Sequence, residues 1–126
     1  MAKKPSLLQR AWPVFLEVIQ MGRTISYSEL AGRVGPPLHH RHLHRQLLAQ
    51  LCEGCRFAGL PDLAAIVVRK DSGLPGAGWF ATYHDQDAEH HWANVVQQCY
   101  VFPWPTDPPA RLAQVFDSGS DPFLRP

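Results

Sequence analysis

The 126-residue sequence contains no run near the ~18 consecutive apolar residues of a membrane-spanning helix. Its start, Met1-Ala2-Lys3-Lys4-Pro5, leads into Leu7-Leu8-Gln9-Arg10 without a long apolar signal core. Both absences lead to the expectation of a cytoplasmic protein with no membrane partner. Cysteine is scarce: Cys52, Cys55 and Cys99 are an odd three, which argues against a disulfide framework and for reduced thiols. The glycine-rich stretch Lys70-Asp71-Ser72-Gly73-Leu74-Pro75-Gly76-Ala77-Gly78 lacks the Gly-Lys-Ser/Thr ending of a phosphate loop and the spacing of a dinucleotide fingerprint. No recognised serine, histidine and acid triple is present, so neither a cofactor nor conventional catalytic machinery is expected. A nuclease built from Asp85, Asp87, Glu89, His90 and His91 has no motif behind it; those residues read as a solvated helix start.

Charge is abundant but uneven. Residues 1–70 carry ten Lys/Arg against four Asp/Glu, a net of +6, whereas residues 71–126 carry two against seven, a net of −5. A basic front half attracts phosphates even when the whole chain is nearly neutral, although the two halves can also simply attract each other. Proline is plentiful at 12, and six of these (103, 105, 108, 109, 122 and 126) crowd the last 24 positions. That distribution predicts one domain over 1–102 and an irregular proline-rich tail over 103–126.

Within the domain, Leu7, Leu8, Ala11, Val14, Phe15, Val18 and Ile19 recur at steps of three and four, which predicts a core-facing helix capped by Ser6 and ended by Gly22. Ser26 followed by Glu29 is a capping box opening a second helix, from about Tyr27 to Arg33, that stops at Gly35. After Pro36-Pro37, Leu38, Leu43, Leu47, Leu48 and Leu51 predict a third helix over 38–53. Two helices joined by a short turn make a helix-turn-helix. The β-branched run Ala64-Ala65-Ile66-Val67-Val68, the glycine-rich turn and Trp79-Phe80-Ala81-Thr82-Tyr83 predict a two-stranded wing over 64–83. A fourth helix is expected over 86–99, with Ala88, Trp92, Val95, Val96 and Cys99 on one face, then a short strand at Tyr100-Val101-Phe102. The fold class expected is therefore α+β: a winged helix-turn-helix with an added C-terminal helix and a proline-rich tail.

Gly22-Arg23-Thr24-Ile25-Ser26-Tyr27-Ser28-Glu29-Leu30-Ala31-Gly32-Arg33-Val34-Gly35, continued by Pro36-Pro37-Leu38-His39-His40-Arg41-His42-Leu43-His44-Arg45-Gln46-Leu47, resembles the DNA-binding domain of the O6-alkylguanine-DNA alkyltransferases. The resemblance is strongest over 22–47 and thins out across 12–80. In that family a tyrosine of the Ser-Tyr-x-x-Leu-Ala segment helps rotate the target nucleotide, and an arginine of the recognition helix fills the gap in the base stack. The resemblance places those roles on Tyr27 and Arg41. Extruding a base costs a few kcal/mol of stacking, which a planar cation can partly replace. The plainer alternatives are a half-buried aromatic at Tyr27 and a solvated charge at Arg41. The family's reactive Pro-Cys-His-Arg-Val motif is missing, because Leu63-Ala64-Ala65-Ile66-Val67 stands in its place. Alkyltransferase-like proteins, which bind lesions without repairing them, lose the cysteine but keep the histidine and arginine, and this sequence departs from them too. What the resemblance implies is a DNA-binding winged helix without alkyl transfer.

Three further clusters carry chemistry. Cys52-x-x-Cys55 has the spacing of half a zinc site, with His90-His91 or Cys99 as conceivable completions, yet no second Cys-x-x-Cys or spaced His pair exists and no metal is expected. His39, His40, His42 and His44 interleave with Arg41 and Arg45; they read as phosphate contacts that strengthen below about pH 6.5, or as a polar outer face. Arg69 and Lys70 flank the wing tip. The expected function is non-enzymatic binding of double-stranded DNA through 38–53 and 64–83, with Tyr27, His40, Arg41, His44, Arg45, Arg69 and Lys70 as contacts. The alternative is a protein-interaction module whose partner meets Trp79, Trp92, Tyr100, Phe102 and Trp104 and the acidic C-terminal part.

Overall fold

The computed structural model describes residues 6–76, Trp79 and residues 88–117. Helix α1 spans Leu7–Gln20 and opens on a reciprocal cap: Ser6 Oγ accepts from the Gln9 N–H at 3.1 Å, and Gln9 Oε1 accepts from the Ser6 N–H at 2.9 Å. Its buried stripe of Leu8, Ala11, Phe15 and Val18 follows the predicted spacing, and Trp12 joins it. Gly22, at φ 63°, takes the left-handed conformation that turns the chain out of the helix.

Strand β1 is two residues long, Ile25–Ser26, and leads directly into helix α2, Tyr27–Val34. Ser26 Oγ accepts from the Glu29 N–H at 3.2 Å, which is the serine half of the predicted capping box; the glutamate half is not made, because Glu29 turns to Arg23. The carboxylate of Glu29 pairs with Arg23 at 3.0 Å. Helix α2 stops at Gly35 and is fastened to α1 by Arg33 on Glu17 and by Arg10 on the Val34 carbonyl.

The uniform helix expected over 38–53 is absent. A 3-10 turn at His40–His42 is followed by a π-helical turn at His44–Leu48, and only then by helix α3, Ala49–Ala58. The cause is local competition for backbone groups. His39 Nδ1 accepts from the Arg41 N–H at 3.1 Å and tightens the first turn, while the Gln46 amide bridges the Pro37 carbonyl and the His39 N–H at 2.9 Å each. The wider π turn then sets Leu43, Leu47, Leu48 and Leu51 all into the core. Helix α3 runs five residues past the predicted end, because Cys52 and Cys55 continue its buried face and the left-handed residue needed for a stop is Gly59, at φ 72°.

The expected wing strand at 64–68 is a strand only at β2, Val67–Val68. Asp62 caps the Ala64 N–H at 3.1 Å and winds Leu63–Ile66 into a 3-10 turn, and the alanines have little strand preference to resist it. Strand β2 pairs parallel with β1, Ile25 opposite Val67 and Ser26 opposite Val68. The protein is thus broadly α+β and mostly helical, with one small parallel sheet. Residues 80–83 of the expected second wing strand lie outside the described residues.

Helix α4, Ala88–Val101, buries Val95, Val96 and Cys99 as predicted. It absorbs Tyr100 and Val101, which are helix and not the expected strand; the Phe102 N–H still bonds the Gln98 carbonyl at 3.1 Å, and Pro103 then halts the ladder. The proline-rich stretch is anchored: Trp12 Nε1 donates to the Pro105 carbonyl at 3.0 Å, and Trp104 stacks edge-on to Trp12 at 5.7 Å. Beyond Pro108-Pro109 the expected irregular tail is instead helix α5, Ala110–Asp117, lying along α3. Leu112, fully buried, faces Gly54 of α3, where a Cβ would stand 2.5 Å from Leu112 Cδ1. Only glycine lets the two helices approach so closely.

Candidate functional site

Two concavities flank Tyr27. The first is a cavity of about 280 Å³ between the π turn, α3 and the 63–68 segment. Leu48, Ala64, Val67 and Trp79 form apolar walls, Tyr27 and Cys52 contribute polar atoms, and His44, Glu53 and Arg56 complete the lining from exposed positions. Beneath it lies Asp62, only 5% exposed. A buried carboxylate needs donors, and Asp62 has them: the Cys52 thiol at 3.1 Å, Trp79 Nε1 at 3.0 Å and the Ala64 N–H. This network fixes Trp79 against the cavity and ties α3 to the 63–66 turn.

The second is an open cleft of about 280 Å³ on the other side of Tyr27, lined by Ser26, Ser28, His40, Arg69, Lys70 and Asp71 as well as Tyr27 itself. Three chain segments meet there because β1 pairs with β2. That pairing sets the residues after β2 beside the start of α2, and the 3-10 turn brings His40 against the same opening. The Tyr27 hydroxyl accepts from the Gly76 N–H at 2.8 Å, which ties the 69–76 loop back onto α2.

Of the seven residues expected to contact DNA, Tyr27, His40, Arg69 and Lys70 share the cleft, and His44 joins Tyr27 at the cavity. Arg41 and Arg45 line neither. Arg41 is exposed and, among the described residues, has no side-chain partner. Arg45 donates to His42 Nδ1 at 3.0 Å. Arg69 is not a free cation: its guanidinium holds Asp71 through two bonds of 3.2 and 2.9 Å. Lys70 is exposed and has no ion-pair partner among the described residues.

The histidines cluster: His39 stacks on His40 at 4.5 Å, and His42 lies tilted to His39 at 5.7 Å. Lost hydration, and then the positive charges of Arg45, His39, Arg41 and His40, hold the His42 imidazole below its ordinary value. The thiols sit in the opposite environment. Burial pushes Cys55 up to about 12 and raises Cys99 further, with Asp62 adding to both. Among the described residues no three His, Cys, Asp or Glu side chains converge to hold a metal ion.

The aromatic set of the alternative reading is divided. Trp79 is buried and bonded to Asp62, and Trp92 Nε1 donates to the Ala65 carbonyl at 2.7 Å. Tyr100, Phe102 and Trp104 line a separate groove of about 410 Å³ with Leu16 and Ile19.

Sequence reasoning missed Asp62, Glu53, Arg56, Ser26 and Ser28 as parts of these sites. A capping aspartate before an apolar run was a visible signal for Asp62, but its burial depends on Cys52 and Trp79 arriving from elsewhere. Compared with protein-family models, curated proteins and solved structures, the chain matches none, so its function is argued from this geometry.

Proposed function

We propose that the chain is a non-enzymatic DNA-binding protein of alkyltransferase-like, winged-helix type, which meets duplex DNA with the 38–53 segment and uses the part of 64–83 that follows β2 as its wing. The observation that carries this reading is the meeting of Tyr27, His40 and Lys70, from three separate segments, on one side of the molecule, with Arg41 exposed on the same turn as His40. Cationic and hydroxyl-bearing side chains at a shared opening suit a phosphate backbone. The adjoining cavity, walled by Tyr27 and Trp79, has the aromatic lining that suits an unstacked base. The lack of alkyl transfer in this reading is supported by the thiols: burial disfavours the reactive thiolate of Cys55 and Cys99, and the Cys52 thiol is engaged with Asp62.

The test is a titration of wild-type protein against plain and mismatch-containing duplexes at about 50 and 200 mM salt. Binding that weakens steeply with salt supports the reading. No binding at the lower salt sinks it. The groove of Tyr100, Phe102 and Trp104 favours the second reading, a protein-interaction module, and that binding would change little with salt.

A further inference from the structure

We infer that the cleft between the start of α2 and the 69–71 loop is the seat of a single phosphodiester group of the bound nucleic acid, held by Lys70, Ser26 and Ser28. The inference rests on the DNA-binding reading and assigns it a particular phosphate site.

The charge balance of the cleft decides the ligand's sign. Asp71 is the acid in the lining, and Arg69 neutralises it through two hydrogen bonds. Glu29, the acid of the first turn of α2, is held by Arg23 and does not line the cleft. Among the described residues, Lys70 therefore leaves the opening with net positive charge. The hydroxyls supply direction. Ser26 Oγ accepts from the Glu29 N–H and shares a 3.4 Å hydrogen bond with Ser28 Oγ in which either hydroxyl can donate, so one of the two hydroxyl hydrogens remains to be given to a ligand. An ammonium group and the outward hydrogen of a hydroxyl pair match the acceptor-only oxygens of a phosphate better than they match a cation or an apolar group. The seat is also pre-set, because the Tyr27 hydroxyl on the Gly76 N–H and the Arg69–Asp71 pair fix the loop that carries Lys70.

The experiment compares wild type with Lys70→Gln, Ser28→Ala and Asp71→Asn in duplex titrations across salt, circular dichroism confirming the fold of each. Lys70→Gln should weaken binding by about three- to tenfold at low salt and lower the slope of log K against log salt by about one unit. Ser28→Ala should weaken binding with the slope unchanged. Asp71→Asn frees Arg69 and should act oppositely, tightening binding and steepening the slope, a gain that misfolding cannot mimic. Wild type that binds DNA while Lys70→Gln and Asp71→Asn leave the slope unchanged overturns the seat and leaves the DNA reading standing. Absence of wild-type binding overturns both. Sodium phosphate alone is the last arm: if it shifts the Ser28 and Lys70 amide resonances while duplex DNA does not, the site takes free phosphate and the phosphodiester assignment is wrong.

Discussion

The Tyr27 hydroxyl accepts a hydrogen bond from the Gly76 backbone N–H at 2.8 Å, across 49 residues of sequence. One side chain thus holds the loop that presents Lys70 while lining both concavities. Tyr27→Phe should cost about 1 kcal/mol of stability, the usual net worth of such a bond, and weaken DNA binding by loosening the loop. Gly76→Ala tests the same contact from the other side, since a Cβ there would stand 2.6 Å from the Tyr27 hydroxyl. Equilibrium unfolding and duplex titration of both variants should show losses of the same sign; an unaffected Gly76→Ala would mean that the contact does not matter.

Arg41 is exposed on the 3-10 turn, where its backbone N–H bonds His39 while its side chain makes no contact that holds the fold among the described residues. Arg41→Ala should weaken duplex binding by about 1–3 kcal/mol if the guanidinium enters the groove or the base stack, with the melting temperature unchanged. A smaller loss that is independent of sequence, with the salt slope reduced by about one unit, would place it on phosphate instead.

Helix α5 belongs to the core, and its removal from the proline-rich end should be costly. Leu112→Ala should destabilise by about 2–5 kcal/mol in urea unfolding, as truncation of a buried leucine does. The clash at Gly54 makes a sharper claim. Gly54→Ala alone overpacks the α3–α5 contact. In the Leu112→Ala background the same change has room, and the higher helix propensity of alanine should make it neutral or stabilising. Additive effects in this double-mutant cycle would show that the helices do not touch there.

What was legible in the sequence follows from how local each signal is. Ser6 and Ser26 announce helix starts through their own hydroxyls, Gly22 and Gly35 announce helix ends through their own backbone, and the α1 and α4 stripes need only periodicity. The break at 40–48 was hidden because Leu43, Leu47, Leu48 and Leu51 fit a helical stripe whether the turns are α or π. Helix α5 was masked by its prolines, although Pro109 just before Ala110 is a position where a helix start tolerates proline. The sites are less legible still. Lys70 and Arg69 are basic in any reading, but that Asp71 pairs with Arg69, and that Lys70 has no ion-pair partner among the described residues, are facts of loop geometry. Asp62 becomes buried only once Cys52 and Trp79 close over it.

The thiols should be inert in the folded protein. Cys55, pushed up to about 12 by burial, and Cys99, raised for the same reason, hold their protons at pH 8. Iodoacetamide at that pH should leave both unlabelled until denaturant is added, and incubation with an alkylated guanine should transfer no alkyl group to any cysteine. Intact mass spectrometry reads both. A stoichiometric native adduct would contradict the environments described.

The histidine stack gives stability and binding opposite responses to pH. Arg45, always a donor, bonds His42 Nδ1, so the folded protein prefers the neutral ring, in line with its lowered titration. Above about pH 6.5 the ring is neutral in folded and unfolded chains alike and contributes no difference. As pH falls through that value the unfolded chain takes up the proton first, and stability declines until the folded ring also titrates. The melting temperature should therefore drop between pH 7.5 and 5.5, and His42→Gln, which removes the titrating ring, should flatten part of that drop. Bound DNA should act the other way: phosphates beside this turn favour the protonated His42 that the free protein disfavours, so duplex affinity at fixed salt should rise as pH falls. Melting curves with and without duplex at the two pH values separate the effects. A free protein more stable at pH 5.5, or an affinity that falls with acid, would show that the stack does not act in this way.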